Sequence, residues 1–261
     1  MLREIGRLIR RDLLTEDILR LTFIAPKIAA VADPGQFVML RIGKSHDPLL
    51  RRPFSIHQTP GDNSIQLLIK VVGKGTQMLA EWSVGQDVDL VGPLGKGFRI
   101  EGPEPFCLVG GGMGIVPLLF LAKKVLQKFP LLRLPVFLGA RSANELNFLA
   151  EGFNEPGVDL YIATDDGSLG SHGLITELLA NQFGAKPGGL RVAACGPYPM
   201  LKSLAALCRR LDWPCEVSLE TVMACGIGAC LGCAVPKINQ KGYAHICTDG
   251  PVFDAEDVRW R

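Results

Sequence analysis

What most limits the folds open to this chain is a change of texture near residue 102. From FCLVGGG (106–112) onward, apolar strands alternate with helical segments. GIVPLLFLAKKVLQKF (114–129) is followed by PVFLGA, VDLYIAT, the helix SHGLITELLANQ, LRVAACG, the helix YPMLKSLAALCRRL and CEVSL. Such alternation predicts a doubly wound parallel sheet. Pro117 in the first turn of the first helix and lysines toward its end match helix-end preferences. Upstream the pattern differs. DILRLTFIA (17–25), QFVMLRIG (36–43), SIQLLIKVVG (64–73) and DVDLVG (87–92) are short β-rich runs, parted by turn clusters such as ADPG and TPGDN. They predict an antiparallel β-barrel, with GTQMLAEW (75–82) as its one helical insertion. The Pro/Gly-rich EGPEP is the joint. The expected organisation is a barrel over 1–101, an α/β domain over 102–219 and a small module over 220–261.

The 48% of apolar residues supply ample material for such cores. Charges nearly cancel, 28 Lys+Arg against 26 Asp+Glu, so neither nucleic acid nor an anionic membrane is an expected partner. The longest apolar run, Met113 to Ala122, is about half of the ~20 residues that span a bilayer. The Arg-rich start, MLREIGRLIRRDLL, lacks the apolar core of a signal peptide and reads as a first strand. A cytoplasmic protein is expected. In a reducing compartment, clustered cysteines bind metal or do redox work more often than they form disulfides.

The tail holds such a cluster. Cys225-x4-Cys230-x2-Cys233 is followed after thirteen residues by Cys247. C-x4-C-x2-C…C is the plant-type ferredoxin spacing for a [2Fe–2S] centre. The loop MACGIGACLGC has too little side chain for a core, but Gly226, Gly228 and Gly232 permit the positive φ that wrapping a cluster needs. Zinc is the rival ligand. Zinc modules usually present two C-x2-C-like pairs, whereas Cys225 and Cys247 stand alone. A segment this short needs a staple of some kind.

Three further motifs carry chemistry. In Arg51-Arg52-Pro53-Phe54-Ser55-Ile56, Arg52 is suited to a pyrophosphate and Ser55 to the polar edge of a flat ring such as isoalloxazine; a plain basic turn is the alternative. Ile69-Lys70-Val71 leads to Gly75-Thr76 at a short helix start, where an anion is favoured. With GPLGKGF (92–98), these elements favour a flavin dinucleotide. Gly110-Gly111-Gly112-Met113-Gly114 follows the first strand of the sheet and opens its first helix, the place for a phosphate or dinucleotide, although it does not spell G-x-G-x-x-G. Cys195-Gly196-Pro197 ends a parallel strand, where Cys195 fits beside a nicotinamide or serves as a small core residue. Thr164 to Ser168 either shapes the nucleotide site or is a solvated turn, and Arg141-Ser142 suits a 2′-phosphate. Cys107, Cys208 and Cys215 read as core. His46, His57, His172 and His245 pair with no nucleophile, and no catalytic residue is expected.

The order of these motifs resembles the ferredoxin–NADP reductase superfamily: R-x-F-S at Arg52 to Ser55, GGG-x-G-x-x-PL at Gly110 to Leu118, and CGP at Cys195 to Pro197. ETVMACGIGACLGC resembles one branch, the electron transfer subunits of NAD-dependent dihydroorotate dehydrogenase B. That resemblance covers essentially the whole chain. It implies FAD held by Arg52, Pro53, Phe54, Ser55, Ile69, Lys70, Val71, Gly75 and Thr76, NAD at the second domain, and a [2Fe–2S] cluster on Cys225, Cys230, Cys233 and Cys247. It also implies a catalytic partner subunit carrying FMN, in a heterotetramer with two copies of each chain. The chain departs from the branch at Thr221-Val222, where a more polar pair is expected. A nicotinamide exchanges two electrons as hydride, a [2Fe–2S] cluster one at a time and a flavin either, so the flavin belongs between them. No residue set suits proton abstraction from a carbon acid, which puts the substrate chemistry on the partner. The alternative is the small subunit of a ferredoxin–NADP reductase or sulfide-dehydrogenase-type complex.

Overall fold

The computed structural model describes residues 1–43, 47–61, 63–102, 105–185, 189–238 and 242–260, in two compact units. The first comprises Met1–Gly97, Glu220–Ala234 and Ala244–Pro251; the second Phe98–Leu219, Val235–Tyr243 and Val252–Arg261.

The first unit is built on six antiparallel strands: β1 (Leu2–Thr15), β2 (Ile18–Ile24), β3 (Phe37–Leu40), β4 (Arg52–Ser55), β5 (Ser64–Lys70) and β6 (Asp87–Leu94), in the order β4-β3-β6-β1-β2-β5. The edges turn toward each other. Past β4, the His57 N–H donates to the Gln66 carbonyl on β5 at 2.8 Å, and the Gln66 N–H donates to Gln58 at 2.9 Å. These bonds draw β4 onto the far edge strand and close the sheet into a near-barrel. The period-2 burial of β6 puts one face inward, where Leu8, Leu19, Leu21, Phe23, Met39, Ile65 and Leu67 are fully buried. Helix α1 (Pro26–Ala29) is held by Glu4, whose carboxylate accepts from the N–H groups of Lys27 and Ile28. Helix α2 (Lys74–Ala80) is the expected insertion. Strand β4 was not anticipated as a strand: Pro53 breaks the apolar run, and only pairing with β3 makes this edge extended.

The second unit carries β7 (Phe106–Gly111), α3 (Val116–Lys128), β8 (Leu134–Ala140), α4 (Ala143–Ala150), β9 (Val158–Thr164), β10 (Ser171–His172), α5 (Ile175–Phe183), β11 (Arg191–Cys195), α6 (Tyr198–Leu211), β12 (Cys215–Ser218) and β13 (Val252–Asp254). The sheet order is β10-β9-β8-β7-β11-β12-β13, parallel except for β13. This is the expected doubly wound sheet. Two details differ from expectation: α4 fills the stretch between PVFLGA and VDLYIAT, and Ser171–His172 form an edge strand, so the next helix starts at Ile175. In the tail, Val252–Phe253 pair antiparallel with Val217–Ser218 at the edge of this sheet. The buried Glu216 fixes this edge, accepting from the Arg99 side chain at 2.7 Å and from Arg191 at 2.9 Å, while Arg99 also binds Asp254.

Candidate functional site

Three groups of residues are candidates for holding cofactors: two in the first unit and one in the second. In the cysteine loop, the thiols form two pairs. Cys233 and Cys247 are buried with their sulfurs 3.2 Å apart. Cys225 is half-buried beside the exposed Cys230, and its sulfur accepts from the N–H groups of Ile227 and Cys230, each at 3.4 Å. The Cys247 sulfur accepts from the Gly228 N–H at 3.2 Å. Backbone N–H groups aimed at sulfur stabilise thiolate. The Cys225 thiol is accordingly lowered to about 7, first by the Ile227 N–H. Burial, followed by the Cys233 thiol, raises Cys247 to about 11. Among the described residues no three His, Cys, Asp or Glu side chains converge as a single ion requires. Two thiol pairs fit a two-iron cluster better than one tetrahedral zinc.

The loop's backbone meets the wrapping requirement, with one change. Gly226 (φ +72°) and Gly228 (φ +80°) lie in the left-handed region, but the third such residue is Leu231 (φ +57°), not Gly232. Gly226 also seats the loop: a Cβ there would stand 2.6 Å from Met39 Cγ on β3. Past Cys247, the Gly250 carbonyl accepts from the Lys96 N–H at 2.6 Å. The cysteine loop therefore rests on β3 and on the end of β6.

Met39 lies opposite Pro53 in the β3–β4 ladder, so the loop's seat adjoins the R-P-F-S strand. The two arginines of that motif divide their work. Arg51 is structural: it bonds the Asp89 carboxylate and carbonyl, each at 2.7 Å, and Arg3 grips the same carboxylate through two nitrogens at 3.0 and 3.1 Å. Burial pushes Asp89 up, but these bonds outweigh it and hold the carboxyl below its ordinary range. Arg52 instead crosses to α2, where a Cβ on Gly75 would be 3.5 Å from its Nε. Residues 23 apart in sequence thus meet beside the half-buried side chains of Pro53, Phe54 and Ser55. Thr76 caps α2 itself, its hydroxyl accepting from the N–H groups of Val72 and Gly73. Ile69 is buried in the barrel and pairs with Leu19 in the β2–β5 ladder. Lys70 pairs with Asp17 at 3.4 Å, and the Val71 N–H donates to the Asp17 carbonyl at 2.7 Å.

In the second unit the strand order reverses between β7 and β11, the switch point at which such sheets bind ligands. Cys195 pairs with Gly110 across it, so the GGGMG and CGP turns emerge side by side. The glycines there are required by close approach. A Cβ on Gly114 would lie 2.5 Å from the Cys195 carbonyl oxygen, and one on Gly111 2.5 Å from Met200 Sδ. Gly112 is different: it has φ +50° and open space above it. Cys195 is buried beneath this turn, as are Cys107, Cys208 and Cys215 in the core. His57 is buried, His172 is exposed on β10, and His245 stands 3.9 Å from Asp249. His46 lies outside the described residues.

A near-barrel bearing R-P-F-S, a switch-point glycine turn and a four-thiol loop define a flavin- and iron–sulfur-dependent oxidoreductase of ferredoxin-reductase fold. Residues 5–107 match an FAD-binding domain, and residues 220–259 match the iron–sulfur cluster binding domain of dihydroorotate dehydrogenase B. The chain is 41% identical over 91% of both chains to the dihydroorotate dehydrogenase B (NAD(+)) electron transfer subunit of Desulforamulus reducens. It is 40% identical, over 86% of both chains, to that of Caldanaerobacter subterraneus subsp. tengcongensis. A solved NADH-dependent reduced ferredoxin–NADP oxidoreductase superposes with a TM-score of 0.85 at 30% identity, covering 98% of this chain and 90% of that one. The chain belongs to the family of dihydroorotate dehydrogenase B (NAD(+)) electron transfer subunits. Among the described residues no helix is long and apolar enough to cross a membrane.

Proposed function

We propose that this chain is the electron transfer subunit of an NAD-dependent dihydroorotate dehydrogenase. It moves electrons to NAD(+) from a catalytic, FMN-bearing partner that oxidises dihydroorotate to orotate in pyrimidine biosynthesis. The observation that carries this reading is the paired-thiol loop seated on Met39, opposite Pro53 of the flavin strand. Cys225 with Cys230, and Cys233 with Cys247, hold a [2Fe–2S] cluster. Arg52, Pro53, Phe54, Ser55, Ile69, Lys70, Val71, Gly75 and Thr76 hold FAD. Gly110, Gly111, Gly112, Gly114, Cys195, Gly196 and Pro197 hold NAD. When bound, these groups supply one-electron, mixed and hydride exchange respectively.

The chain's own residues bind, orient and shield. Arg52 neutralises pyrophosphate charge beside the first N–H groups of α2. The Ile227, Cys230 and Gly228 N–H groups stabilise sulfur charge. The close-packed glycines bring backbone up to the nucleotide. Functionally, residues 1–101, 102–219 and 220–261 serve flavin, nucleotide and cluster. Exposed Cys230, Ile227 and Leu231 support the loop as the partner-facing port. We propose that the chain works in a cytoplasmic heterotetramer with two copies of each chain.

Anaerobic co-expression with the catalytic subunit tests this. Dihydroorotate-dependent NADH formation, with about two irons and two acid-labile sulfides per chain, is expected. A flavin-free or zinc-loaded chain refutes it. The second reading, a ferredoxin–NADP oxidoreductase small subunit, is favoured by the 0.85 TM-score superposition alone. It predicts electron exchange with ferredoxin and none with dihydroorotate.

A further inference from the structure

The Arg141-Ser142 turn carries more than its sequence suggests. In the β7–β8 ladder Gly139 lies beside Gly111, so Arg141 emerges next to the open Gly112 turn. In doubly wound sheets this second strand end meets the adenosine ribose, and its charge separates a 2′-hydroxyl from a 2′-phosphate. A lone exposed arginine there would favour the phosphate. Here the first turn of α4 brings Glu145 back over the turn. One carboxylate oxygen accepts from the Arg141 N–H at 3.3 Å, and the other stands 3.7 Å from Arg141 Nε. The β8 turn already holds an anion, supplied by the chain itself.

The neighbouring strand adds charge of the same sign. Thr164, at the end of β9, pairs with Ala140, and the N–H groups of Asp165 and Asp166 donate to the carbonyls of Ala140 and Arg141 at 3.0 and 3.1 Å. Ser168 stitches the two turns together, its hydroxyl accepting from the Ala143 N–H at 2.8 Å and donating to Asp166 at 2.6 Å. Glu145 therefore stands against the Arg141 guanidinium, and Asp165 and Asp166 add two carboxylates to the turn stitched to it.

We infer that Glu145 is a specificity-determining residue: by occupying the Arg141 N–H and opposing its charge, it excludes a 2′-phosphate and restricts this site to NAD. The inference rests on the nucleotide site proposed above and assigns its selectivity to one side chain. A ribose 2′-hydroxyl, which can donate to a carboxylate, is tolerated; a dianionic phosphate is repelled.

The test uses the full chain and two probes that need no flavin, 5′-AMP and adenosine 2′,5′-bisphosphate, with binding followed by calorimetry. Wild type is expected to bind AMP more tightly. Glu145→Gln is expected to tighten the bisphosphate about five- to tenfold and leave AMP within about twofold, the scale of one exposed charge removed and one released. Adding Arg141→Ala should cancel the gain, and Glu145→Lys should extend it. In the holoenzyme, the NADPH-to-NADH ratio of kcat/KM should rise in step. An unchanged bisphosphate affinity in both Glu145 variants, or a wild type that already prefers the bisphosphate, overturns the role of Glu145. A wild type that binds neither probe and oxidises neither dinucleotide overturns the nucleotide site, and this inference with it.

Discussion

At the scale of single residues, the loop is governed by backbone more than by its thiols. Cysteine spacing names a cluster, but the left-handed φ at Gly226 and the absence of a Cβ over Met39 decide whether the thiols can face one another. Gly226→Ala combines left-handed strain with a clash in a fully buried contact. We expect it to cost about 2 kcal/mol and to lower iron content while flavin binding survives. Metal analysis alongside the flavin spectrum checks this; full iron loading refutes it. Cys225→Ser removes one of the proposed cluster ligands without touching that seat. It should abolish transfer to the partner and leave NADH reduction of the flavin largely intact. Leu231 holds a φ of +57° that glycine would hold without strain, and its side chain is exposed. Leu231→Gly should therefore preserve or raise stability by about 1 kcal/mol. If the side chain meets the partner, dihydroorotate-driven turnover falls while cluster loading stays complete.

At the scale of elements, the strands and helices with strong period were legible, and those made by tertiary pairing were not. The helix at 114–129 and the strands around 18–24 and 64–70 announced themselves, because apolar spacing is a local property. Strand β4 did not: a proline-containing edge becomes a strand only through β3. Arg51 and Arg52 look alike in sequence, and only the fold separates them, one bound to Asp89 and the other reaching Gly75. The glycines at 110–114 were read as a ligand turn. Two of them, Gly111 and Gly114, answer in addition to packing against the 195–200 segment, which no spacing rule exposes.

Asp89 shows what such an element-level contact is worth. Its folded pKa lies below the ordinary value, so its contribution is fully present above the unfolded pKa of about 3.9 and is lost as pH falls through the folded one. Asp89→Asn should cost about 2 kcal/mol at neutral pH and flatten the loss of stability below about pH 4. Urea titrations between pH 2.5 and 7 test both points, and parallel pH curves for the two proteins would refute the assignment.

At the scale of the whole molecule, the tail serves both cores. Residues 220–234 and 244–251 group with the barrel unit, where Gly226 rests on Met39 and Gly250 binds Lys96. Residues 252–261 group with the parallel sheet, where β13 completes an edge that Glu216 and Arg99 fix. A chain ending at Leu219 should therefore be weakened in each unit, not simply lack a cluster. In the sheet unit it loses the ladder partner of Val217 and the Asp254 carboxylate, about 2–4 kcal/mol. The two units carry separate reporters, Trp82 packed near Phe23 and Trp213 buried after α6. With the other tryptophans replaced by phenylalanine, each fluorescence transition in the truncated chain should move to lower denaturant. Glu216→Gln in the full-length chain separates the two effects: it should lower the Trp213 transition and spare that of Trp82. A truncated chain whose Trp213 transition matches the intact protein would show that β13 adds nothing to the sheet.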